Sequence, residues 1–102
     1  EFGPRPNFGA REVRDYVIDA ALAWFEAFRF DGIRVDSTIT MRRDTRDNEL
    51  LDAWTLLGEL THAIRTAFPH VALIAEDLQA CTDIHAVAGF DAQWAPGLHY
   101  AL

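Results

Sequence analysis

The chain has 102 residues, 50% of them hydrophobic, and a formal net charge of −7. That is material for one domain with its own core and no more. No Lys/Arg cluster interrupts the acidity and no apolar run reaches membrane-spanning length, which argues against nucleic acid and membrane as partners. The one cysteine, Cys81, cannot close an internal disulfide, and this usage fits a reduced or indifferent compartment; a cytoplasmic location is expected. The sequence opens Glu1-Phe2-Gly3-Pro4 without a methionine and stops just after Leu98-His99-Tyr100-Ala101-Leu102, so both ends read as cut.

Residues 3–9 form a Pro/Gly/Asn loop by composition. A helix is expected over 10–27, with Val13, Val17, Ala20 or Ala21, Trp24 and Phe28 on one apolar face and Trp24 in the core. Residues 32–36 read as a short buried strand. Residues 37–48 carry Arg42, Arg43, Asp44, Arg46 and Asp47 and read as a charged loop, either solvated or facing a substrate. A second helix is expected over 49–68 with the stripe Leu50, Trp54, Leu57, Thr61, Ile64 and Phe68, stopped by Pro69. A strand over 71–76 follows, then a short connection over 77–88 with a weak helix starting near Thr82 or Asp83. A third strand is expected over 90–94, and Pro96-Gly97 makes a turn. This alternation signals parallel βα units. Three strands cannot close a barrel, which takes about 250 residues. The expected fold class is therefore α/β, a partial (β/α)8 barrel, with residues 1–102 a fragment of a single catalytic domain. A three-strand doubly wound sheet competes, but it wants a Gly-rich phosphate turn, which the sequence lacks.

The chemistry concentrates in Phe30-Asp31-Gly32-Ile33-Arg34-Val35-Asp36 and His70-Val71-Ala72-Leu73-Ile74-Ala75-Glu76. Side chains alternate along a strand, so Ile33 and Val35 point one way and Arg34 and Asp36 the other. Charges on a packed face are costly unless they meet each other or a ligand. Asp36 and Glu76 each close a strand, and barrel enzymes place their chemistry at those C-terminal ends. Two carboxyl groups about 5–5.5 Å apart suit retaining glycosyl transfer, one as nucleophile and the other as acid and then base. Arg34 would hold Asp36 ionised. Glu76 follows an apolar run with no basic neighbour in sequence, an environment able to keep it protonated as the acid. The plainer alternative makes Asp36 a turn cap and Glu76 a partner for a surface arginine.

Asp31-Gly32-Ile33-Arg34-Val35-Asp36 resembles the second conserved segment of the α-amylase family, glycoside hydrolase family 13, and Ile74-Ala75-Glu76-Asp77 resembles the third. The preceding helix, with Glu12-Val13-Arg14 and Ala23-Trp24-Phe25, is similar to that of its glycogen-branching members. Gly89-Phe90-Asp91-Ala92-Gln93-Trp94 resembles a segment of branching-type and maltooligosyltrehalose-trehalohydrolase members. The resemblance implies a (β/α)8 barrel and α-glucan substrates; no cofactor is expected. It makes Asp36 the nucleophile, Arg34 its positioning partner and Glu76 the acid/base. Trp94 and His99 are candidate sugar contacts. The family's earlier Asn-His segment and later His-Asp segment are missing, so the fragment is expected to be inactive alone. Branching transfer is the expected chemistry, with α-amylase-type hydrolysis or trehalose release as alternatives.

Two rivals stand beside this reading. Asp36, Glu76 and Asp91 could hold Mg²⁺ as in an enolase-like barrel, although Arg34 would repel a dication there. A non-catalytic amylase-like binding subunit is the other rival, but such subunits have usually lost the nucleophile or the acid. Asp77 is expected to face away from Glu76 and to serve as a hydrogen-bonding partner. His62 and His85 are expected at the surface or in packing.

Overall fold

The structure, a computed structural model, describes residues 6–43, 46, 48–77 and 83–94. The elements in order are α1 (Arg11–Phe28), β1 (Gly32–Val35), α2 (Thr38–Arg42), α3 (Leu51–Ala67), β2 (Ala72–Glu76), α4 (Asp83–Ala86) and β3 (Ala92–Trp94). The three strands pair in chain order and in parallel. The protein is thus α/β, with helices between parallel strands. No helix among the described residues is long and apolar enough to cross a membrane.

The core lies between one face of the sheet and helices α1 and α3. Leu73 and Ala75 of β2 meet Leu56, Leu57, Leu60 and Ile64 of α3 in one cluster, with Ile33 and Val35 of β1 packed on its flank. Leu57, Thr61 and Ile64 of the expected stripe are buried, and Ala53, Leu56 and Leu60 widen it. Phe68, one residue past α3, stacks on Phe25 at 5.5 Å between centroids. At the surface Arg11 and Arg14 both bond Glu59, tying α1 to α3.

Two expectations are corrected. Trp24 is not in the core: it is 60% exposed and Phe28 67%, while Ile18 and Phe25 are the buried residues of α1. The inward face is rotated by one position, about 100°. It is set by docking on α3 and by the Phe25–Phe68 stack. The charged stretch after β1 is not simply a loop. Ser37 takes a left-handed conformation (φ 51) and α2 begins directly after it. Thr38 and Arg42 in that helix are fully buried, while residues 44, 45 and 47 lie outside the described set.

Two local features fix the sheet. A Cβ on Gly32 would stand 2.6 Å from the Ala72 carbonyl oxygen, so only glycine lets β1 approach β2 there. Ahead of β3, Asp91 accepts a hydrogen bond from the Leu73 amide at 2.8 Å and pairs with Arg65 at 3.1 Å. The Leu73 amide, with Arg65 in support, holds the Asp91 carboxyl below its ordinary range although partial burial acts the other way.

Gly32→Ala is expected to destabilise the fold by about 1–3 kcal/mol through overpacking, read as a lower urea midpoint. A native pKa below the unfolded one gives stability that is present above the unfolded value and lost as pH falls through the native value. Asp91→Asn should therefore be less stable than the parent sequence at neutral pH. The gap should close on acidification, which urea titrations at several pH values will show.

Candidate active site

Alternation along β1 puts Ile33 and Val35 on the core and leaves Arg34 and Asp36 on the opposite, open face. On β2, Leu73 and Ala75 are buried, so Ile74 and Glu76 share the face of Arg34. The register pairs Val35 with Ala75. Asp36 and Glu76, each one residue further on, thus arrive side by side at the C-terminal ends of neighbouring strands.

Arg34 joins them. Its Nη1 donates to Asp36 Oδ1 at 3.0 Å and to Glu76 Oε2 at 2.6 Å. Because both oxygens lie on one nitrogen, their separation cannot exceed the sum of those distances. The two carboxylates are therefore close neighbours on one face of the sheet, held on a single cation. Asp36 is the more open of the two acids, with 74% of its side chain exposed against 26% for Glu76. In sequence Glu76 has no basic neighbour. The sheet supplies one from the adjacent strand, a pairing 42 residues apart in the chain.

Trp94 completes the group. It is the register partner of Glu76 on β3, and the Arg34 guanidinium carbon lies 5.1 Å from its ring centroid, within cation–π reach. The ring is 52% exposed. His99, Cys81 and the Pro96-Gly97 turn lie outside the described residues.

Other candidates fall elsewhere. Asp91 is turned to Leu73 and Arg65, so it does not join Asp36 and Glu76 as a third ligand. Among the described residues no group of three His, Cys, Asp or Glu side chains could hold a metal ion. His62 is exposed on α3, and His85 places Nδ1 3.0 Å from the Phe90 carbonyl oxygen. A cavity of ≈ 290 Å³ lined by Phe25, Glu26, Arg29, Phe30, Phe68 and His70 opens at the other end of the sheet, where Phe30 and His70 precede β1 and β2.

Behind the acids lies a second charged cluster. Asp77 does face away from Glu76, as expected, and it is fully buried. Its partners are Arg42 and Thr38. The available signal was parity: Asp77 continues the inward series of Leu73 and Ala75, and a buried carboxylate requires a cation. Nothing local in the sequence said which of the arginines after β1 would supply it.

No protein-family model matches the chain. Comparison with curated proteins finds the 1,4-α-glucan branching enzyme of Myxococcus xanthus, 33% identical over 89% of this chain and 15% of that protein. The branching enzyme of Ralstonia nicotianae is 32% identical over 92% of the chain and 15% of its own length. Among solved structures, the type III pullulan hydrolase from Thermococcus kodakarensis superposes with a TM-score of 0.62 at 36% identity, over 85% of this chain and 14% of that one. The chain thus spans about one seventh of the length of the relatives it matches. The ordered segments around Arg34, Asp36 and Glu76, the parallel sheet that carries them and these likenesses agree, and the chain belongs to the α-amylase family, glycoside hydrolase family 13.

Proposed function

We propose that this chain is one segment of a (β/α)8 catalytic domain, residues 1–102 lying within it, and that the domain rearranges α-glucans by retaining glycosyl transfer of the branching type. The observation that carries the reading is the single Arg34 nitrogen bonded to both Asp36 and Glu76. Strands hydrogen-bonded in chain order with helices between them suit a barrel slice, with the two acids at the ends where barrels hold their chemistry. The relatives named as branching enzymes supply the substrate class.

In this mechanism the Asp36 carboxylate attacks the anomeric carbon of a glucan. The bond from that carbon to the leaving oxygen breaks, and Glu76 delivers its proton to that oxygen. A covalent glycosyl ester on Asp36 results. Glu76, now a carboxylate, takes a proton from an acceptor hydroxyl, whose oxygen attacks the same carbon and releases Asp36. Two inversions give retention. Arg34 orients both acids, and the exposed Trp94 ring offers an apolar surface for a sugar face. A glucan 6-hydroxyl as acceptor gives branching and water gives hydrolysis. Hydrolysis is the second reading, supported by the likeness to a pullulan hydrolase; the two outcomes differ only in the acceptor.

In the full enzyme that carries this segment, Asp36→Asn and Glu76→Gln should each reduce turnover of amylose by a factor of 10³ or more while the melting temperature stays close to that of the parent. Retained turnover in either variant would refute the assignment. The 102-residue chain alone should neither cleave nor branch amylose, because the remaining strands of the site are supplied by other parts of the domain. Iodine-complex and reducing-end assays will check this.

A further inference from the structure

The buried pair behind the site is built to hold geometry. Arg42 and Asp77 are both fully buried. Arg42 Nε donates to Asp77 Oδ2 at 2.7 Å and Nη2 donates to Oδ1 at 3.0 Å, a two-pronged contact that fixes direction as well as distance. The Thr38 hydroxyl lies 2.9 Å from Asp77 Oδ2 and 3.1 Å from the Glu76 carbonyl oxygen, sharing its one proton between them. The far side of Arg42 is anchored too: Nη1 donates to Glu49 Oε1 at 3.1 Å, and its guanidinium lies over Trp54, whose Nε1 donates to Glu49 Oε2 at 2.7 Å.

These contacts fall at two particular places in the chain. Thr38 is two residues after Asp36, and the left-handed Ser37 between them turns the chain back toward β2. Asp77 directly follows Glu76. The cluster therefore cross-links the backbone just beyond one acid to the backbone at the other, on the face opposite Arg34. We propose that Thr38, Asp77 and Arg42 are positioning residues that set the placement of the Glu76 carboxylate relative to Asp36. This rests on the glycosyl-transfer reading above. Arg34 links the two acids from the open face and is itself partly solvated, so it cannot fix the backbone that presents them. A buried ion pair contributes little net stability over a well-packed apolar pair, and its directional contacts are what an apolar pair would lack.

The test uses the full enzyme that carries the segment. Thr38→Val keeps the side chain's shape and removes its hydroxyl. It should lower kcat on amylose on the order of tenfold with KM nearly unchanged, since small displacements of a reacting group act on turnover. Thr38→Ser restores the hydroxyl and should recover most of the loss. Arg42→Lys keeps the charge without the two-pronged contact and should also lower kcat with KM held. Should Arg42→Lys fail to fold, the valine and serine variants decide alone. If Thr38→Val leaves kcat within twofold while lowering the melting temperature, or if serine fails to recover kcat, the cluster is structural only and the proposal is overturned. Glu76→Gln, assayed in parallel, separates the two failures. An inactive Glu76→Gln beside an unaffected Thr38→Val overturns the positioning role alone, whereas an active Glu76→Gln removes the glycosyl-transfer reading and this inference with it.

Discussion

The close parallel pairing of β1 with β2 is the constraint on which the rest depends. Gly32 lies against the Ala72 backbone with no room for a Cβ, and the register runs without a bulge from that contact to Val35 and Ala75. A slip of one residue would turn Glu76 into the helix layer and bring Asp77 to the open face. The same register puts Leu73 and Ala75 into the core. Core packing and site geometry are thus one decision, and the hydrophobic layer enforces the spacing of the acids.

Charge is divided between the two faces of the sheet. On the open face Arg34 meets two carboxylates in partial contact with solvent. On the packed face Arg42 meets Asp77 with no solvent exposure on either side chain. Consecutive residues, Glu76 and Asp77, belong to different arginines because a strand alternates its side chains. Water competes with the first pairing and does not reach the second. The exposed contacts can rearrange when a ligand arrives, and the buried ones hold their shape.

Much of this was legible in the sequence. The strands around Gly32–Val35 and Ala72–Glu76 stood out as β-branched and apolar runs, each followed or closed by an acid. Both long helices were marked by their periodicity, with Pro69 behind the second. What failed to show had tertiary causes. The expected stripe of α1, through Trp24 and Phe28, is exposed at those two residues, while Phe25 is buried against Phe68. The stretch after β1 looked like a solvated loop because its charges are many. Yet Arg42 is buried by a partner 35 residues away that no local rule connects to it. Arg34 was recognised for its place beside Asp36, but its bond to Glu76 depends on the lateral order of strands.

The open side of the sheet is where context will matter most. Ala72 and Ile74 project there beside Arg34, Ala72 exposed and Ile74 half-buried. A packed residue responds to a change of volume because its neighbours cannot move, whereas one facing water has no neighbours to disturb. The tolerance of positions 72 and 74 to larger side chains is therefore a gauge of what stands opposite them. Bulky replacements rejected at these positions would reveal a second wall closing over the acids, and bulky replacements accepted would show the face open to solvent.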